Sequence, residues 1–192
     1  MERVFEHAKD DLIPFIAIGA FAGLRHAEIQ RLDWAEIRFD DGLIEVKASK
    51  AKTASRRLVP ITDNLKLWLT PHKKAAGPVC RYVNMSKQLM WLAQDVHKAW
   101  QAEKEAGAFE WKHNALRHSF ISYRVADIQN VAQVALEAGN SPRMVFSNYR
   151  ELVRPVDAKV WFAITPESVR AAAATRKALP PNVVPLPAAA AA

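Results

Sequence analysis

From residue 5 to residue 24, apolar residues recur at helical spacing with Pro14 inside the run, which predicts two short helices or one kinked helix. Residues 28–34, Glu-Ile-Gln-Arg-Leu-Asp-Trp, continue the helical reading. After the turn signal Asp40-Asp41-Gly42 the period changes to two. Residues 43–47 and, past a polar loop, residues 57–61 alternate as strands, giving a hairpin with a basic tip. Helical spacing then returns. Thr62 or Asp63 can cap a helix to about residue 69, Ser86 can cap a long one through about residue 106, and residues 115–126, 131–138 and 142–150 follow as further helices. Residues 156–176 predict one or two terminal helices with Trp161 and Phe162 as apolar anchors, while residues 71–78 read as a loop. The expected fold class is mainly α with one small antiparallel β-sheet, an α+β arrangement.

Composition narrows this outline. A chain of 192 residues, 50% hydrophobic, can bury one sizeable core but is short for two complete domains. The expected division is one domain over residues 1–178 and a Pro/Ala-rich tail over residues 179–192. Lys and Arg number 27 against 20 Asp and Glu, a formal net charge of +7, which favours a polyanionic partner. The single cysteine, Cys80, excludes an intrachain disulfide and a Cys-rich zinc site. No metal or cofactor is expected. The start lacks a signal-peptide core, and the longest apolar stretch, residues 12–24, is too short to cross a bilayer, so a soluble, cytoplasmic protein with no membrane partner is expected.

Four polar clusters could carry chemistry. In Gly23-Leu24-Arg25-His26-Ala27-Glu28, an arginine directly follows an apolar helix, where the scaffold can fix its guanidinium as a planar donor fork for phosphate. Glu28 could orient a neighbouring base. The hairpin tip holds Lys47, Lys50, Lys52, Arg56 and Arg57. A lysine there can reach a DNA groove and give a proton to a leaving oxygen. For Lys47, Lys50, Arg56 and Arg57, the simpler reading is a solvated basic loop touching backbone phosphates. His113-Asn114-Ala115-Leu116-Arg117-His118 places a second arginine near a helix N-terminus, where anions bind readily. The fourth cluster ends one helix at Gly139 and opens another that carries Tyr149. A lone helical tyrosine is usually packing.

In this order, the four clusters resemble the motif boxes of the tyrosine recombinases, or phage integrases, over roughly residues 5–152. Gly-Leu-Arg-x-x-Glu is similar to the first arginine box and assigns Arg25. Lys52, eight residues before Pro60, matches the hairpin lysine. Leu-Arg-His-Ser-Phe assigns Arg117, and the spacing from Asn140 assigns Tyr149 as nucleophile. The resemblance implies the catalytic-domain fold of a DNA breaking-rejoining enzyme. It implies metal-free strand cleavage through a 3′-phosphotyrosyl intermediate, with double-stranded DNA as partner and a tetramer on DNA for full-length members. It also implies a prokaryotic, nucleoid-associated setting in a phage or mobile element. Arg25 and Arg117 would clamp the nonbridging oxygens, and Lys52 would protonate the departing 5′ oxygen. The N-terminal core-binding domain of such enzymes has no counterpart before Phe5, so the chain reads as a fragment or truncated member.

Two positions depart from the pattern. The family usually has histidine where this chain has Asn114, with His113 one place earlier, and histidine or tryptophan where it has Asn140. Asparagine can hydrogen-bond phosphate but cannot exchange a proton near neutral pH. Alternatives are therefore a catalytically impaired, DNA-binding relative, a DNA-relaxing enzyme resembling type IB topoisomerases, and a basic helical scaffold.

Overall fold

A computed structural model describes residues 1–50, 56–103, 109–149 and 153–178. The ambiguity around Pro14 resolves as two helices, α1 (Glu2–His7) and α2 (Ile13–Phe21), joined through a 3-10 turn at Asp10–Leu12. Pro14 sits in the first turn of α2, where its missing N–H leaves no hydrogen bond unmade, so the helix is not kinked. Every residue from Pro14 to Phe21 is buried, because α2 packs against α3 (His26–Gln30), α4 (Asp63–Leu69) and α6 (Ala115–Ile128). A helix enclosed on all sides has no polar face to keep.

The helical reading of residues 28–34 is corrected. Helix α3 stops at Gln30, and Asp33 caps a separate 3-10 turn, Trp34–Glu36, by accepting from Ala35 N at 2.9 Å. The turn leads into β1 (Ile37–Arg38), a strand too short for alternation to reveal. Strands β2 (Leu43–Val46) and β3 (Arg57–Pro60) complete an antiparallel sheet of order β1-β2-β3, with Ile44 opposite Val59 and Val46 opposite Arg57. Ile44, Val46 and Val59 point into the core. The long helix α5 (Met85–Ala102) is capped by Asn84, not Ser86, since Asn84 Oδ1 accepts from Lys87 N at 3.0 Å.

Helices α6, α7 (Val131–Ala138) and α8 (Pro142–Tyr149) build a second hydrophobic cluster from Phe120, Ile121, Val125, Val134, Ala135, Ala138, Val145 and Tyr149, beside the main core around α2. Helices α9 (Pro155–Phe162) and α10 (Pro166–Ala178) fold back over their own domain. Trp161 stacks on Tyr123 at 4.3 Å between ring centroids and donates from Nε1 to Ala20 O at 3.1 Å. On α10, Arg176 pairs with Glu6. Among the described residues, no helix is long and apolar enough to cross a membrane.

Candidate active site

Three arginines lie at the seam between elements of the two hydrophobic clusters, beside apolar contacts such as Phe162, which packs against both. Two residues past the end of α2 lies Gly23, whose φ of +64° turns the chain. A Cβ there would lie 2.1 Å from the Phe120 ring, so only glycine fits. The turn delivers Arg25 to the start of α3, one helical turn from Glu28. Glu28 is buried at 2% exposure, and both of its oxygens are used twice. Oε1 accepts from Arg25 Nη1 at 3.1 Å and Arg57 Nη1 at 3.0 Å, while Oε2 accepts from Arg25 N at 2.8 Å and Arg57 Nη2 at 2.7 Å. Burial alone would raise the Glu28 carboxyl, but the hydrogen bonds and charges of Arg57 and Arg25 outweigh it and hold it below its ordinary value.

Arg57 corrects the reading of this residue as part of a solvated loop. It lies in β3 with its side chain 9% exposed, pairs with Glu28, and donates from Nε to Glu137 O at 3.0 Å. The signal was available, because residues two apart in a strand share a face and Arg57 is two before the buried Val59. The charged groups flanking the hairpin are tied to its base. Lys50 and Lys47 reach Glu36 at 2.7 and 3.0 Å, and Arg56, 58% exposed, reaches Glu45 at 2.6 Å. Lys52 lies outside the described residues.

Arg117, in the first turn of α6 and 7% exposed, donates from Nη1 to Gly23 O at 2.6 Å and from Nη2 to Ala138 O at 2.6 Å. Its Nη2 also donates to Asn140 Oδ1 at 3.0 Å, and Arg25 Nη2 donates to the same oxygen at 3.1 Å and to Gly139 O at 2.7 Å. The amide orientation of Asn140 is therefore fixed by chemistry, since guanidinium groups only donate. Burial, then the charges of Arg25 and Arg57, lower the Arg117 guanidinium to about 10, which leaves it cationic at neutral pH. Arg25 and Arg57 share the Glu28 carboxylate, while Arg117 donates to neutral acceptors, so the three guanidinium groups carry an excess of positive charge. The carbonyls of Gly23, Glu137, Ala138 and Gly139 hold the forks in place, and sequence motifs of side chains do not disclose such backbone acceptors.

Tyr149 ends α8 in the second cluster, and its Oη lies 2.6 Å from His118 Nδ1 in a hydrogen bond. Burial raises the phenol above its ordinary value, against a smaller opposing effect of Arg117, so the hydroxyl is neutral at physiological pH. Asn114 adopts φ 56°, a left-handed conformation asparagine tolerates, at the N-terminus of α6. With the exposed His113, it lines a cleft of about 530 Å³ that also reaches Trp111, His26 and Arg117. The structure thus brings together Arg25, Glu28, Arg57, Arg117 and Asn140 in one network, sets Tyr149 and His118 on its flank, and leaves Asn114 and His113 on the adjoining cleft.

Comparison with known proteins gives a consistent picture. No curated protein sequence matches. The crystal structure of XerA recombinase matches with a TM-score of 0.53 at 13% sequence identity, over 91% of this chain and 62% of that one, so this chain spans less than two thirds of its length. That likeness concerns the fold. The model of the phage integrase family matches residues 7–151, which include all four motif clusters, and the chain belongs to this family, the tyrosine recombinases.

Proposed function

We propose that this chain is the catalytic domain of a site-specific DNA recombinase, which cleaves and rejoins strands through a 3′-phosphotyrosyl intermediate on Tyr149. The observation that carries the reading is the convergence of Arg25 and Arg117 on one neutral acceptor, Asn140 Oδ1, beside a helix that presents Tyr149. Each guanidinium has five N–H groups, of which hydrogen bonds to described residues use three on Arg25 and three on Arg117. Two on each make no hydrogen bond to a described residue, and these are the donors assigned to the nonbridging oxygens of a scissile phosphate. Donors held by backbone carbonyls need little reorganisation as negative charge grows in the transition state.

In this mechanism the Tyr149 oxygen attacks phosphorus, the bond to the 5′ oxygen breaks, and Lys52 supplies the proton that oxygen takes. The phosphotyrosyl ester conserves the bond energy, so a 5′-hydroxyl from another strand can reverse the attack without a nucleotide cofactor. Asn140 orients both arginines and can donate from Nδ2 to the phosphate. Asn114, without a titratable proton, serves only as a hydrogen-bonding group. Exposed Arg56, with Lys47 and Lys50, offers positive charge to flanking backbone phosphates. Double-stranded DNA is the substrate, with self-association on it for strand exchange.

Strand transfer tests this reading. A randomised pool of nicked duplexes is incubated with the protein, and a labelled strand bearing a free 5′-hydroxyl is then added. The expected product is labelled DNA joined at the cleavage position. Relaxation of supercoiled DNA with no joining of strands from different duplexes would favour a topoisomerase-like activity instead.

A further inference from the structure

We infer that His118 is the general base that takes the Tyr149 proton during cleavage and the acid that returns it during rejoining. The inference rests on the reading of Tyr149 as nucleophile and adds the proton path on the attacking side. A neutral phenol is a poor nucleophile, so its proton must leave as the bond to phosphorus forms. The family's usual histidine positions cannot take it here, because Asn114 and Asn140 do not accept protons near neutral pH. His118 already touches the reacting oxygen, with Nδ1 2.6 Å from Tyr149 Oη and the two rings tilted 31° at a centroid distance of 5.5 Å. It lies in the first turn of α6, directly after Arg117, so one helix holds the phosphate clamp and the base together.

The step balances as follows. Neutral His118, with its hydrogen on Nε2, accepts the Tyr149 hydroxyl proton at Nδ1. The phenolic oxygen forms the bond to phosphorus, the bond from phosphorus to the 5′ oxygen breaks, and that oxygen takes a proton from Lys52. In the reverse direction a 5′-hydroxyl gives its proton to the Lys52 amine and attacks phosphorus. The imidazolium then protonates the departing phenolate.

The test separates attack from departure by changing the leaving atom. A duplex recovered from the randomised pool by its covalent attachment to wild-type protein is prepared with oxygen or with sulfur at the bridging 5′ position. Sulfur leaves without protonation. Single-turnover cleavage by the full chain is measured for wild type, His118→Gln and Lys52→Ala, after checking melting temperature and duplex binding. The expected result is a loss of about a hundredfold for His118→Gln on both substrates, typical of a general base, whereas Lys52→Ala recovers on the sulfur duplex. His118→Asn serves if the glutamine variant does not fold. Wild-type rates in a folded histidine variant would overturn the inference, as would a defect that sulfur erases. A faster variant would mean that His118 restrains the tyrosine. Failure of wild-type protein to form any adduct would remove the nucleophile reading itself, a distinct outcome.

Discussion

Asn140 accepts from two guanidinium groups without adding a charge of its own. A histidine or tryptophan at this position would offer a ring donor to phosphate, whereas the amide divides its work, with Oδ1 toward the arginines and Nδ2 left to donate. Asn140→Asp tests that division. The carboxylate would bind Arg25 and Arg117 more tightly and put an anionic oxygen where the donor was. Cleavage should then fall by at least about tenfold, some 1.4 kcal/mol of transition-state stabilisation, while the melting temperature stays level or rises. Unchanged cleavage would show that Asn140 does not face the phosphate. At this scale the sequence was legible where side chains themselves form the pattern. Arg25, Arg117 and Asn140, which the family resemblance singled out, lie in one hydrogen-bonded network with Glu28. Arg57 was misread because its position beside a basic loop outweighed its place in strand periodicity, and the four carbonyls left no trace because every residue type carries one.

The elements themselves are held together across the seam by ionic and hydrogen bonds as well as by apolar packing. Glu28 in α3 binds Arg57 in β3, and Arg57 in turn binds the last turn of α7 through Glu137 O. Glu137, buried on α7, also pairs with Arg124 on α6 at 3.1 Å. Removing the carboxylate in Glu28→Ala would leave the nearly buried Arg57 charge without its counter-ion, at a cost of about 3–5 kcal/mol, measurable by urea denaturation at neutral pH. Because the folded carboxyl is held below its ordinary value of 4.5, its contribution is fully present above that value and is lost as the pH falls through the lower, folded value. The stability gap between wild type and Glu28→Gln should therefore narrow on acidification below pH 4.5. A gap that stays constant would mean that the charge of Glu28 contributes nothing. Most elements were legible from periodicity, because long runs average over many positions. Strand β1 and the break after Gln30 were not, since both depend on a few residues of capping and pairing.

Across the whole molecule, the fold places one arginine-rich hydrogen-bonded network between two cores, so the groups proposed to hold the phosphate are also groups that lock the halves together. That coupling accounts for the burial of Arg117 in a protein with a net charge of +7. A charge buried at this depth is costly unless its donors are satisfied, and Arg117 donates to the Gly23 and Ala138 carbonyls and to Asn140 Oδ1. The terminal helices strengthen the same scaffold, since Trp161 closes α9 against α2 and α6. Covalent chemistry at Tyr149 is the claim on which the account turns. The direct measurement is to trap protein on nicked suicide duplexes from a randomised pool, digest the denatured adduct, and locate the nucleotide-bearing peptide by mass spectrometry. The account predicts a 3′-phosphate ester on Tyr149, absent from Tyr149→Phe. An adduct on another residue, or DNA binding with no adduct at all, would contradict it.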